Sequence, residues 1–111
     1  MPGSDNDIDL QATWQSFLDA LESADLEEMR RLVEESVAEW LATLSGGLEA
    51  ATLRKLAAQW RMWRFRVVDG RALQPGQETV QALLGPEGKE HVLTFRRAAS
   101  GWVIEHWQPG L

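Results

Sequence analysis

Cysteine is absent from this chain, and so is tyrosine. Without thiols there is no disulfide framework, no thiolate metal site and no cysteine nucleophile. Without tyrosine there is no phenol to serve as a proton donor in an apolar site. No stretch approaches the roughly 20 apolar residues of a membrane-spanning helix. The opening MPGSDNDIDL is polar and acidic, with none of the apolar core of a signal peptide. A cytoplasmic chain with no membrane partner is therefore expected. Histidine occurs twice, as His91 and His106, so proton transfer near neutral pH has few candidates.

Positive charge is scarce in the first half. Residues 1–50 hold twelve carboxylates against Arg30 and Arg31, a net −10, whereas residues 51–111 hold nine Lys or Arg against five carboxylates, a net +4. The total of −6 opposes nucleic acid as a partner, because affinity there rests on neutralising phosphates. An acidic helical layer over a mildly basic sheet layer accounts for the asymmetry.

What is present is apolar patterning. The 111 residues suit one domain, large enough to bury roughly two-thirds of its unfolded surface. Residues 1–8 are small, polar and without periodicity, and are expected to form a disordered tail ahead of a domain over 9–111. From Asp9, Leu10, Trp14, Phe17, Leu18 and Leu21 share one helical face while Gln15, Asp19 and Glu22 occupy the other. Asp25 caps a second helix with Leu26, Met29, Leu32 and Val33 as its apolar face. Ser36 and Glu39 have capping-box spacing and predict a third start, presenting Val37, Trp40, Leu41 and Leu44, which Ser45-Gly46-Gly47 stops. Whether the second and third helices are one bent rod is left open by the pattern. A fourth helix is predicted through Leu48, Ala51, Leu56 and Trp60.

The period then shortens to two. In WRMWRFRVV, Trp63, Phe65 and Val67 alternate with Arg64, Arg66 and Val68, a first strand. Asp69-Gly70 reads either as a hairpin turn or as a bulge within one long strand that turns at Pro75-Gly76. Residues 78–107 hold three further strands separated by short Gly-containing turns. With Glu87-Gly88 and Ser100-Gly101 as two-residue loops, Val80, Ala82 and Leu84 fall beside His91, Leu93 and Phe95, and these beside Trp102, Ile104 and His106. That face is nearly all apolar and needs a cover, which the helical half supplies. The expected fold class is α+β: N-terminal helices on a curved antiparallel sheet of about four strands.

The first-helix stretch WQSFLDALESADLEEMRRLVEESV and the terminal LTFRRAASGWVIEHW, with Gly-Trp after its turn, resemble the nuclear transport factor 2-like superfamily, which includes SnoaL-like cyclases and ketosteroid isomerases. The resemblance implies a sheet wrapped into a cone around the first helix, a ligand cavity at its mouth and dimers through the outer sheet face. The family's catalytic patterns do not carry over: the isomerase and dehydratase types use a tyrosine, and the hydrolase type uses an Asp-Arg-Asp set for which only Asp69 and Arg71 are on offer.

Candidate site residues follow from these faces. His106 and Asp69 are the candidate acid and base, with Arg71 and His91 in the same polar cluster; the plain structural alternatives are one buried hydrogen bond for His106, a wet strand end near Gly88 for His91 and a turn-associated ion pair for Asp69 and Arg71. Trp14, Phe17, Trp40, Trp63, Phe95 and His106 are the candidate ligand-lining set, with Trp60 beside them, suited to a planar apolar small molecule or to filling a core. Leu83, Val92, Thr94, Val103 and Trp107 form a semi-apolar strip on the outer sheet face, a candidate homodimer interface. No metal and no cofactor are expected, since two His and one Asp lack ligand spacing. Arg61, Arg64 and Arg66 are expected to pair with the acidic helices or line a dimer contact. The function expected is small-ligand binding by a dimeric cavity protein, the alternatives being a SnoaL-like isomerase, cyclase or hydrolase acting on an apolar ring compound, and an accessory protein-interaction domain.

Overall fold

The computed structural model describes residues 4–68, 79–86, 88–99 and 101–110. Four helices, α1 (Ser4–Glu22), α2 (Leu26–Leu32), α3 (Glu35–Leu44) and α4 (Ala50–Arg61), precede four strands, β1 (Phe65–Val67), β2 (Thr79–Leu84), β3 (His91–Ala98) and β4 (Gly101–Gln108). The strands form one antiparallel sheet in sequence order, with the helices packed on one face, the α+β class expected.

The helix starts and stops have local causes. α1 begins at Ser4, five residues ahead of the expected Asp9 cap, so residues 4–8 belong to a helix rather than to a tail. Asp25 accepts from Glu28 N–H at 3.1 Å and caps α2 as expected. The capping box at Ser36 is not formed: α3 follows Glu34, whose side chain caps nothing, and Ser36 lies exposed inside the first turn. The sheet decides that boundary. Val33 is extended and bridges Ile104 in parallel, and Glu34 N–H donates to Ile104 O at 2.9 Å, so α2 and α3 are separate helices and the edge of β4 is covered. Past α3 the chain turns through Gly46 and Gly47 with positive φ, and Ser45, though only 1 % exposed, donates to Leu41 O and accepts from Leu48 N–H. Out of that turn α4 buries Leu53, Ala57 and Trp60, a face displaced from the expected one: Ala51 is exposed.

Register follows the turns in one hairpin and departs from them in the next. β2 and β3 pair as expected, with Val80 opposite Phe95, Ala82 opposite Leu93 and Leu84 opposite His91. Between β3 and β4 the hairpin closes on Ala98 and Gly101, and pairing jumps from Phe95–Ile104 to Thr94–His106, leaving Glu105 as the extra residue of a bulge. One inserted residue reverses which side chains face the helices thereafter. Trp107 is turned inward at 6 % exposure, and His106 is turned outward and exposed. Burying an indole in place of an imidazole is the favourable outcome, since the large ring brings more apolar area and less polar desolvation. The bulge is held by Arg96, which binds Glu105 at 3.3 Å and also pairs with Glu34.

One contiguous core results, running from Leu10, Trp14, Phe17, Leu18 and Leu21 of α1 through Met29, Val37, Leu41, Leu53 and Trp60 to Val80, Leu84, Leu93, Phe95 and Ile104 of the sheet. Each fully buried aliphatic side chain contributes about 1.5–3 kcal/mol relative to exposure. No helix among the described residues is long and apolar enough to cross a membrane.

Candidate functional site

The inward turn of Trp107 builds a ring cluster. Its indole lies 4.7 Å from Trp60, 5.1 Å from Trp40, 5.6 Å from Trp14 and 5.9 Å from Phe17, centroid to centroid. Trp14 also stacks on Phe17 and on Phe65, each at 5.4 Å, and Phe65 meets Phe95 edge-on at 6.0 Å. These are direct ring contacts, with no room for a further ring between them. Phe17 and Phe95, expected to line a ligand cavity, are wholly buried and serve as core, and Trp40 is half-buried against Trp107.

At one end of the cluster the packing opens. Trp14, Trp60, Trp63 and Phe65 wall a cleft of about 190 Å³, completed by Gln11, Gln15 and Leu18 of α1 and by Arg61 at the end of α4. Arg61 is fixed by α1: Nε and Nη2 donate to Glu22 at 3.2 and 2.7 Å, Nη2 to Asp19 at 2.5 Å and Nη1 to Gln15 at 3.1 Å. The bond to Asp19, then those to Glu22, push the guanidinium above its ordinary pKa against a partial burial cost. Of its five N–H groups, four are committed by these bonds and one on Nη1 remains. With one cation against two carboxylates, the mouth is net negative.

Behind the Trp63 wall sits His91. The rings are 5.1 Å apart, and Trp107 Nε1–H donates to His91 Nδ1 at 2.9 Å. Burial lowers the His91 pKa below its ordinary value. The neutral imidazole is thus an acceptor for the core indole and a support for the cleft wall.

His106, the expected acid or base and ligand contact, is separated from all of this: it stands on the outer sheet face beside Thr94. Asp69 and Arg71 lie outside the described residues, as do the alternatives for Asp69-Gly70. Of the expected interface strip, Leu83, Val92 and Thr94 are half-buried on the outer face and Val103 is buried there, while Trp107 is absent from it because of the bulge. Two shallow clefts adjoin this face. One, of about 180 Å³, is bounded by Arg64, Arg66, Leu83 and Glu90; the other, of about 390 Å³, by Leu83, Val92, Lys89 and Pro109. Arg66 pairs with Glu90 at 3.1 Å. Among the described residues no three His, Cys, Asp or Glu side chains are grouped to hold a metal ion.

Gln11, Gln15, Arg61, Phe65 and the structural use of His91 are missing from the sequence-based site. A signal for part of it exists: Gln15, Asp19 and Glu22 recur at helical spacing on the outward face of α1, a ready stripe for one arginine. No family model, curated protein or solved structure matches this chain.

Proposed function

We propose that the chain is a non-catalytic binding protein for a small planar ring compound, held in the cleft between Trp14, Trp60, Trp63 and Phe65. The observation that carries the proposal is the pairing of ring walls with a pinned arginine at one mouth, an apolar slot with few fixed polar groups. At about 190 Å³ the cleft is smaller than the roughly 300–1,000 Å³ of sites for drug-sized ligands and equals about six waters at roughly 30 Å³ each. One substituted ring fits. The net negative mouth disfavours an anionic ligand, and the spare Arg61 N–H favours a ring bearing a neutral oxygen acceptor. The test is titration with neutral benzamide, followed by the indole N–H signals in a nitrogen-15 spectrum. Saturable shifts that Trp63→Ala removes support the site; unchanged spectra reject it.

A second reading concerns the outer sheet face. Leu83, Val92, Thr94 and Val103 form its apolar centre, and Arg66–Glu90 and Arg96–Glu34–Glu105 put both signs of charge at its rim. That mixture suits a two-fold contact with a second copy, in which each Arg meets a Glu of the partner. The likeness of the sequence to nuclear transport factor 2-like proteins favours the same assembly. An enzymatic role through Asp69 and His106 gains no support from the outward placement of His106.

A further inference from the structure

His91 touches the cleft from behind without lining it. Its ring packs on Trp63, one cleft wall, at 5.1 Å. On its other side Nδ1 accepts the Trp107 N–H, and the Trp107 ring lies against Trp60 and Trp14, two more walls, at 4.7 and 5.6 Å. One imidazole is therefore in contact, directly or through Trp107, with three of the four rings that shape the cleft.

Resting on the ligand reading above, we propose that His91 is a proton-sensitive latch for the ring cleft: neutral, it holds Trp63 and Trp107 in the binding shape, and protonated, it releases them. The chemistry is a clash of donors. Only an unprotonated Nδ1 accepts the Trp107 N–H; a proton there sets two N–H groups against each other at 2.9 Å in a half-buried site. The indole must then lose its partner or the imidazole must swing away, taking the support from Trp63.

The surroundings of His91 leave it free to respond. The described elements against it present Leu84 from β2, Trp63 from the segment after α4 and Trp107 from β4, none of them titratable. The charged residues of neighbouring segments, Arg64 and Arg66 around β1 and Lys89 and Glu90 just ahead of β3, border clefts on the outer face, and Glu90 is committed to Arg66 and to Gly88 N–H. Burial is the cause of its lowered proton affinity, which places the transition on the acid side of neutrality.

The experiment compares the wild type with His91→Asn, whose side-chain oxygen can take the place of Nδ1 as acceptor but cannot titrate, from about pH 7.5 to about pH 5. Without any ligand, the Trp107 indole N–H signal, identified by its loss in Trp107→Phe, is expected to shift with a single titration in the wild type and to stay still in His91→Asn. A signal that is flat in the wild type, or that moves equally in His91→Asn, overturns the latch. With benzamide as probe, wild-type affinity is expected to fall about tenfold per pH unit once below the imidazole midpoint, and His91→Asn to bind with little pH dependence. Benzamide affinity that ignores pH in the wild type overturns the proposal. A titrating Trp107 signal with no benzamide binding at any pH overturns the ligand reading, and with it His91 as a regulator of binding.

Discussion

Arg61 at the end of α4 reaches Asp19 of α1 at 2.5 Å, an ion pair that joins residues 42 positions apart and sets one mouth of the cleft. Glu22 at 2.7 Å and Gln15 at 3.1 Å complete the clamp. The network lies at the surface, where screening limits its worth to about 1 kcal/mol. Arg61→Met is therefore expected to lower unfolding stability by no more than about that amount, and the difference to shrink in high salt. Urea unfolding at low and high ionic strength measures both effects.

Trp107 and His106 are neighbours in sequence with opposite surroundings. Trp107→Ala removes the centre of the ring cluster and is expected to cost about 3–5 kcal/mol, whereas His106→Ala is expected to stay within about 0.5 kcal/mol. Denaturant midpoints for the two variants read out the direction of the bulge. Equal costs would mean that the strand is not bulged at Glu105.

Stability is expected to fall on the acid side of neutrality through His91. Burial lowers its pKa in the folded chain, so the unfolded chain binds the proton more readily. Its contribution is therefore whole above the ordinary imidazole value of 6.5 and is lost as pH falls through the lower, folded midpoint. Carboxylates add their own acid dependence, which the variant separates: the drop between about pH 7 and about pH 5 is expected to be larger in the wild type than in His91→Asn. Urea midpoints across that range make the comparison.

Val92→Glu places a charge at the centre of the outer sheet face. A dimer built on that face is expected to dissociate, read as a halved mass in light scattering, with the far-ultraviolet spectrum unchanged. A wild type that is monomeric at every concentration excludes the two-fold contact.

Much of this architecture is legible in the residue pattern. The spacing of Leu10, Trp14, Phe17, Leu18 and Leu21 marks the buried face of α1, and a turn at Glu87-Gly88 is enough to set Val80 opposite Phe95. The limits have physical reasons. WVIEHWQ alternates well enough in either parity, so nothing local distinguishes Trp107-in from His106-in; the choice is made by packing against Trp14, Trp40 and Trp60, which are remote in sequence. Ser36 and Glu39 satisfy the capping-box spacing, yet the bridge from Val33 to Ile104 moves the helix start. Leu53 falls outside the expected face because α4 starts at Ala50 and buries Leu53, Ala57 and Trp60, leaving Ala51 exposed. The cleft depends on a side-chain clamp between two helices, and pairing over such a distance leaves only the stripe of Gln15, Asp19 and Glu22 as a trace.

A ring-walled cleft sits above a filled interior, and indole N–H mapping with benzamide is the decisive measurement of it. Signals of Trp14, Trp60 and Trp63 should move together and saturably, while that of Trp102, which lies under Arg97 beyond the cleft, stays fixed. Shifts confined to Trp102, or no saturable shift in any indole, would contradict it.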